Sequence, residues 1–315
     1  MTDATPERDS SGTDDIQAEP RRCGYVAILG APNAGKSTLL NQLVGQKLAI
    51  VSPKVQTTRA KILGIQIAGP AQIIYVDTPG IFQPRRRLDR AMVAAAWGGA
   101  ADADRILLLV DALDGVTADV RAIVEQLKAT SRRAALVLNK VDAVKRDTLL
   151  GLALQLNAED IFDHVFMISA LTGDGTKDVE AWVVGQLPIG PWLYPEDQIT
   201  DVPQRQLAAE ITREQLYLQL HDELPYQATV ETERWEERAD GSARLDQIIY
   251  VQRPSQKAIV LGKGGQQAKK IGARSRLELE RVFERRIHLF LFVKVREGWV
   301  DDRERYDAIG LDFNA

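Results

Sequence analysis

Short apolar runs alternate with segments of helical periodicity between residues 24 and 187, and this alternation restricts the possible folds more than any other feature. The apolar runs predict buried strands at 25–29, 72–76, 106–110, 134–138 and 165–168. Helical periodicity occurs between them at 37–43, 88–97, 118–127 and 178–187. This α/β order predicts a mostly parallel sheet with helices on both faces and ligands at the carboxyl ends of the strands. Residues 61–67 are predicted to add an antiparallel strand at the edge.

A proline-rich stretch follows this region and contains Pro188, Pro191, Pro195 and Pro203. Prolines with acids and few periodic apolar residues are typical of a linker. Beyond it we predict a helix, two strands, a helix and a strand, at 205–221, 228–238, 243–251, 266–285 and 287–295. The chain is therefore divided into a disordered acidic tail, an α/β domain, a linker and an α+β domain, at 1–21, 22–188, 189–203 and 204–315.

Composition excludes several classes of protein. The first 20 residues carry six acids and one arginine, whereas secretory signals and mitochondrial presequences are basic. No run approaches the ~20 apolar residues that span a bilayer. The single cysteine, Cys23, excludes an internal disulfide, and a cytoplasmic location fits this cysteine usage. The histidines show no metal-ligand spacing and stand at His164, His221 and His288.

The segment GAPNAGKS at 30–37 fits the phosphate-binding loop pattern GxxxxGK[ST], between a predicted strand and a predicted helix. Its glycines let the backbone wrap around phosphate oxygens, and N–H groups at the helix start point at them. Lys36 is predicted to reach the β- and γ-phosphates and Ser37 to ligate Mg²⁺. An ordinary strand–helix turn is the alternative. The predicted nucleotide contacts here are Gly30, Ala31, Pro32, Asn33, Ala34, Gly35, Lys36, Ser37 and Thr38.

A second segment, at 77–80, follows the predicted strand at 72–76 and consists of Asp77, Thr78, Pro79 and Gly80. An acid at a strand end beside a phosphate loop can hold Mg²⁺ through water. The Gly80 amide is then free to sense a γ-phosphate. Alone, such a segment is more often a simple turn.

Two further segments at strand ends predict a guanine site and consist of Asn139, Lys140, Val141, Asp142 and of Ser169, Ala170, Leu171. The Asp142 carboxylate can accept hydrogen bonds from guanine N1–H and the 2-amino group. Adenine lacks that amino group and would leave a buried charge unpaired. Lys140 would lie along the base plane, and the Ala170 amide would meet guanine O6. The combination predicts GTP rather than ATP.

These motifs resemble those of the translation-factor-like GTPases. The resemblance places residues 56–59 in the first switch, where a threonine closes on Mg²⁺ when GTP is bound; Thr58 is favoured and Thr57 is the alternative. Two threonines that merely start a strand are a further alternative. Ile81, also an expected nucleotide contact, stands where many GTPases carry the glutamine that orients water, which implies slow hydrolysis. The resemblance assigns catalysis to Lys36, Thr58 and Gly80.

Asn33 has two interpretations of equal weight. In related GTPases an asparagine here helps to hold a K⁺ ion, which supplies the positive charge otherwise given by an arginine finger. The alternative is that Asn33 only fits the turn of the loop.

The second domain contains a GxxG segment at 262–265, ahead of the helix predicted at 266–285. In KH domains such a loop clamps the backbone of about four nucleotides of single-stranded RNA. Residues 251–295 hold eleven Lys and Arg against three acids, a charge of +8 in an otherwise acidic chain, which indicates an RNA surface. A solvated helix face is the alternative. The predicted RNA contacts are Gly262, Lys263, Gly264, Gly265, Lys269, Lys270 and Arg274.

The two halves together resemble the Era-like family of bacterial ribosome-assembly GTPases, from residue 22 to the end of the chain. The motifs that carry this resemblance are ELPY at 223–226, KIG at 270–272, and VKV and GW at 293–295 and 298–299. Ala31, Ala34 and Gly264 depart from residues common in the family, and Gly264 replaces a frequent lysine.

The family resemblance implies a P-loop GTPase domain and a type II KH domain, with GTP, GDP and Mg²⁺ as ligands. It implies binding to the 3′ end of 16S rRNA on the pre-30S subunit, with no role for DNA, and release on hydrolysis. It also implies peripheral contact with the inner membrane. Arg85, Arg86, Arg87 and Arg90 could meet lipid or rRNA, although a solvated helix start is the favoured interpretation. The alternatives are an RNA-binding assembly module that uses GTP mainly as a ligand, and a membrane-signalling GTPase.

Overall fold

The structure is a computed structural model that describes residues 19–54, 57–84, 86–220, 224–298, 303, 306 and 310–315. Most of the predicted tail lies outside the described residues, as do Gln56, Arg85, His221, Glu223 and Trp299.

The first domain is a six-stranded sheet with helices on both faces. Its strands are β1 Arg22–Gly30, β2 Ile62–Ala68, β3 Ala71–Asp77, β4 Arg105–Asp111, β5 Ala134–Asn139 and β6 Phe162–Ile168. Its helices are α1 Lys36–Val44, α2 Arg87–Ala101, α3 Ala118–Ala129, α4 Arg146–Asn157 and α5 Thr176–Gln186. The strand order is β2-β3-β1-β4-β5-β6, and all neighbouring pairs are parallel except β2 with β3. The predicted α/β architecture and its antiparallel edge strand are thus present.

Burial on both sheet faces explains the unbroken apolar runs. Val26 and Ile28 of β1 belong to the core on one face, while Ala27 and Leu29 belong to the core on the other. All four side chains are fully buried. A strand covered on both sides needs no polar alternation, because neither set of its side chains meets water. This central strand ends in the phosphate loop, between β3 and β4.

Residues 189–203, predicted as a linker, run along the first domain. Ile189 bridges Arg22, and Thr200 bridges Gly64 of β2. Trp192 and Tyr194 pack against a small core that contains the buried Cys23. The segment therefore leads the chain across the α/β domain before the second domain begins.

The second domain is a three-stranded sheet packed against three helices. Its elements are α6 Gln204–Gln219, β7 Ala228–Glu237, β8 Ala243–Val251, α7 Pro254–Leu261, α8 Gln266–Phe283 and β9 Ile287–Val295. The strand order is β7-β8-β9; β7 is antiparallel to β8, and β9 is parallel to β8. The α+β class agrees with the prediction, but α7 is an additional helix. Within the described ranges, no helix combines the length and apolar character needed to cross a bilayer.

Candidate nucleotide and RNA sites

The phosphate loop joins the end of β1 to the start of α1. Gly35 lies immediately before the helix with a φ of 98°, a region that favours glycine. A β-carbon there would lie 2.2 Å from Asn139 Nδ2, so only glycine fits. Asn33 also has a positive φ, 62°, and its side-chain amide donates to the Pro53 carbonyl at 3.1 Å. The loop is therefore tightly curved, and its N–H groups and the start of α1 face one cleft.

Lys36 spans the inside of this loop. Its Nζ donates to the carbonyl oxygens of Gly30, at 3.1 Å, and Ala31, at 2.9 Å. Burial lowers the pKa of Lys36 to about 8, and the nearby Asp77 carboxylate opposes this shift. A buried cation beside a ring of amide groups is suited to holding polyphosphate.

Three side-chain oxygens converge beside Lys36. Ser37 Oγ donates to Asp77 Oδ2 at 2.7 Å, and Thr58 Oγ1 lies 2.7 Å from Ser37 Oγ and 3.3 Å from Asp77 Oδ2. Asp77 is fully buried, and its Oδ1 has no hydrogen-bond partner among the residues that the structure describes. Burial raises the pKa of Asp77, while Lys36 lowers it. A hard oxygen cluster with a spare carboxylate atom fits Mg²⁺.

The two candidate switch threonines point in different directions. Thr58 is buried and faces Ser37 and Asp77. The Thr57 hydroxyl instead donates to the Lys54 carbonyl at 2.8 Å, within its own segment. The structure thus brings Thr58, and not Thr57, to the predicted magnesium corner.

The segment after β3 closes the γ-phosphate end of the cleft. A β-carbon on Gly80 would lie 3.0 Å from Pro32, so these two loops are in close contact. Thr78 and Pro79 are buried, and the Thr78 hydroxyl donates to the Ile28 carbonyl at 2.8 Å. Ile81 packs into the hydrophobic core, and its N–H donates to the Gly30 carbonyl at 3.1 Å. The Ile81 side chain therefore lies in the core and does not line the cleft.

Asn139 connects the loops at the base-binding end. It is buried; its Nδ2 donates to the Ala34 carbonyl at 2.8 Å, and its Oδ1 accepts the Ala170 N–H at 2.9 Å. The amide expected to meet guanine O6 is thus held by Asn139. Lys140 forms an ion pair with Asp111, a partner that the sequence analysis missed. Asp142 and Leu171 are exposed, next to the more enclosed Val141 and the buried Ser169.

The cleft that these segments enclose has a volume of about 450 Å³. Residues from four of the predicted segments line it, including Asn33, Lys36, Ser37, Thr38, Thr58, Gly80 and Lys140. Asp111, Leu113 and Asp114, at and just after the end of β4, complete the wall near Lys140.

The GxxG segment forms a tight turn between α7 and α8. Gly262, Gly264 and Gly265 have φ values of 70°, 61° and 76°. A β-carbon on Gly262 would lie 2.7 Å from Gln267, so the turn depends on glycine. The turn presents its backbone at the start of α8, where a phosphate is favoured.

The basic residues predicted for RNA share the outer side of this turn and helix. Ile271, Ser275 and Leu279 form the buried side of α8. The exposed residues are Lys263, Lys269, Lys270 and Arg274, and none of them forms an ion pair within the described part of the chain. Unpaired cations beside a glycine turn can neutralise a phosphate backbone.

Comparison with known proteins identifies the family. A model for a 50S ribosome-binding GTPase matches residues 25–140, and a KH-domain model matches residues 223–300. GTPase Era of Brucella suis biovar 1 (strain 1330) is 60% identical over 299 residues, which cover 95% of this chain and 96% of that protein. The chain belongs to the Era family of GTPases. GTPase Era of Rhizobium meliloti (strain 1021) is 61% identical over 296 residues, 94% of this chain and 95% of that one.

Solved Era structures agree with this fold across both domains. Era in complex with MgGDPNP and nucleotides 1506–1542 of 16S ribosomal RNA has a TM-score of 0.87 and 37% identity, over 92% of this chain and 99% of that chain. A single-residue variant of Era from Aquifex aeolicus, bound to GDP.AlF4-, has a TM-score of 0.86 and 37% identity with the same coverage. The predictions of a P-loop GTPase domain, a KH domain and Era-like membership are confirmed.

Proposed function

We propose that this Era-family GTPase binds GTP with Mg²⁺ in the cleft of its first domain and 16S rRNA, near its 3′ end, through its KH domain. We further propose that it does so during maturation of the small ribosomal subunit on the pre-30S particle. The observation that carries the proposal is the likeness, over both domains, to Era in complex with MgGDPNP and 16S rRNA.

Different residues of the first domain bind the phosphates, the metal and the base of the nucleotide. Lys36 and the amides of the loop hold the phosphates, while Ser37, Thr58 and Asp77 hold the metal, directly or through water. When bound, Mg²⁺ neutralises charge on the β- and γ-phosphates. Asp142 accepts hydrogen bonds from guanine, and Asn139 sets the distance between the base end and the phosphate loop. The side chains thus orient GTP before any water attacks.

This chain lacks one residue that many GTPases use for hydrolysis, the glutamine that orients the attacking water. Ile81 stands where a water-orienting glutamine is expected, and its side chain lies in the core. We therefore propose slow intrinsic turnover that is accelerated on RNA. The same observation favours a second candidate, an RNA-binding assembly module that uses GTP mainly as a ligand. The response of hydrolysis to RNA separates the two.

RNA bound at the basic GxxG turn of the KH domain should accelerate GTP hydrolysis in the first domain. An RNA oligonucleotide matching the small-subunit 3′ end is expected to accelerate single-turnover GTP hydrolysis at least tenfold. Changing Lys263 and Lys269 to alanine should lower RNA affinity and reduce the slope of log affinity against log salt by about 1.4, from ~0.7 per lost phosphate contact on a single strand. GTP affinity should stay unchanged.

A charge-matched control uses Lys128→Ala with Lys177→Ala, two exposed lysines of the first domain. This double variant should bind and respond to RNA like the wild type. If RNA leaves wild-type hydrolysis unchanged, the assembly-module candidate replaces the switch. If the Lys263 and Lys269 changes leave the salt slope unchanged, the assigned RNA surface is wrong.

Asn33 is proposed to hold K⁺ near the phosphates. Replacing NaCl by KCl at constant ionic strength should then accelerate single-turnover hydrolysis about tenfold, part of the ~10³–10⁵ supplied by an arginine finger. Asn33→Ala should remove the difference between the two salts. Equal rates in Na⁺ and K⁺ would leave Asn33 with the turn role that its positive φ supports.

Peripheral membrane contact is the third candidate and would use the arginines at the start of α2. In the structure Arg87 stacks 4.4 Å from the Phe313 ring, and Arg90 Nε donates to the Ala315 carbonyl at 3.4 Å. The C-terminal residues thus already contact two of these side chains. This packing leaves these two side chains less free for lipid headgroups and counts against the membrane candidate.

A further inference from the structure

Helix α6, the first element of the KH domain, carries a buried polar stripe. Glu210, Arg213, Glu214 and Tyr217 follow the spacing that places side chains on one face of a helix. Arg213 and Glu214 are almost completely buried. Buried charges are strongly unfavourable unless they are paired, so Arg213 and Glu214 need partners within the helix or on the segment that faces it.

The facing segment lies in the GTPase domain, between α1 and β2, and contains the switch threonine. At its beginning, Glu214 accepts from Lys47 Nζ at 2.5 Å and from the Val51 N–H at 2.8 Å. Lys47 also donates to Glu278 of α8 at 2.7 Å. One end of the segment is therefore held by two helices of the KH domain.

The other end is held by two arginines. Arg213 Nη2 donates to the Thr57 carbonyl at 2.5 Å, and Arg213 is itself oriented by Glu210, which accepts from its Nε at 2.8 Å. Arg59, which follows Thr58 in the segment, donates to the Tyr217 hydroxyl at 3.2 Å and to the Ala228 carbonyl at 3.2 Å. The residues on either side of Thr58 are thus both hydrogen-bonded to the KH domain.

The Thr57 carbonyl belongs to the peptide group that precedes Thr58. A displacement of this carbonyl rotates the same peptide plane and moves the Thr58 hydroxyl, which lies 2.7 Å from Ser37 and 3.3 Å from Asp77. Arg213 is thus connected to the magnesium corner through one peptide unit. The Nη1 of Arg213 has no hydrogen-bond partner among the described residues. Since buried polar groups are normally hydrogen-bonded, packing alone does not account for an arginine at this position.

We propose that Arg213 is a positioning residue for the GTPase reaction: from the KH domain it holds Thr58 against the metal site through the Thr57 carbonyl. This inference rests on the proposed function, because it gives the GTP site and the RNA domain a shared contact. An arrangement of the two domains that keeps the bond from Arg213 to the Thr57 carbonyl favours Thr58 at the metal site. By linkage, binding of GTP with Mg²⁺ favours the same arrangement of the domains.

The test uses the full chain with Arg213→Gln and a matched control, Arg244→Gln. Arg244 also pairs with a carboxylate of the KH domain, Asp246, but forms no hydrogen bond or ion pair with the switch segment in the part of the chain that the structure describes. Single-turnover hydrolysis of Arg213→Gln should fall about 10- to 100-fold, as expected for misplacement at a distance from the chemistry. The Mg²⁺ concentration for half-maximal binding of a non-hydrolysable GTP analogue should rise about tenfold.

GDP affinity should change less than about twofold, because switch segments are ordered by the γ-phosphate and its metal. The ratio of RNA affinities with GTP analogue and with GDP should fall toward one. Arg213→Lys keeps a donor for the Thr57 carbonyl and should recover part of the rate. Arg244→Gln should match the wild type in every measurement.

Two results would overturn the proposal. One is a wild-type rate and Mg²⁺ requirement in Arg213→Gln. The other is an equal loss of GDP and GTP-analogue binding in both Arg213 variants, which would mark a purely structural role. Failure of the proposed function would be seen in the wild-type protein, whose GTP binding would then be the same with and without RNA. This result differs from both of those above. The Mg²⁺ measurement needs no RNA and tests Arg213 in either case.

Discussion

Lys36→Ala is expected to reduce single-turnover GTP hydrolysis about 10³-fold, or ~4 kcal/mol of transition-state stabilisation. The lysine is buried, with its Nζ held by the Gly30 and Ala31 carbonyls at the bottom of the phosphate loop. Removing it deletes two charge-assisted contacts to the phosphates, worth about 1.5–3 kcal/mol each. GTP affinity should fall by a smaller factor than the rate, because these contacts strengthen as charge develops in the transition state.

The control for this prediction is Lys177→Ala, an exposed lysine on α5. It should hydrolyse GTP at the wild-type rate. Thermal unfolding should accompany both measurements, since Lys36→Ala also removes one of the two donors to each of these carbonyls. A folded Lys36→Ala protein with the wild-type rate would remove Lys36 from the phosphate site.

Asp142→Asn is expected to change the preferred base from guanine to xanthine. The carboxylate accepts two charge-assisted hydrogen bonds from guanine. Asparagine keeps one neutral acceptor and turns an N–H toward the 2-amino group, which costs about 3–6 kcal/mol, or ~10²–10⁴ in GTP affinity. An asparagine amide can donate to the carbonyl that xanthine carries in place of the 2-amino group. Competition binding of GTP and XTP measures this change in base preference directly.

Asp147→Asn provides a control with the same change of charge in the first turn of α4. It should retain the wild-type preference for GTP. Retained selectivity for GTP in Asp142→Asn would show that another residue recognises the base. In that case the exposed position of Asp142 would mark it as a surface acid.

Helices α4 and α7 were not predicted, because their sequences lack a clear helical period of apolar residues. In α4, leucines occur all round the helix, and Leu150 and Leu154 are exposed by 57% and 74%. Such a pattern hides the buried stripe on which helix prediction depends. Helix α7 has only eight residues and begins at a proline, which gives too few turns for a periodic signal.

The strand ends were predictable because their chemistry is local. A phosphate loop needs its glycines, lysine and hydroxyl within one short turn, so residues 30–37 carry the whole signal. The same is true of residues 139–142 and of the GxxG turn. A parallel sheet then brings the separate strand ends to one edge, which made a single guanine-nucleotide cleft predictable.

The sequence by itself therefore determined the class of both domains, the GTPase motifs and the basic KH surface. Only the tertiary structure decided which threonine faces Asp77, and that Asn139 holds the Ala170 amide. It alone showed that Arg213 contacts Thr57 across 156 residues of chain. Contacts between distant residues leave no spacing or period in the sequence, because they depend on how the folded elements and the two domains pack.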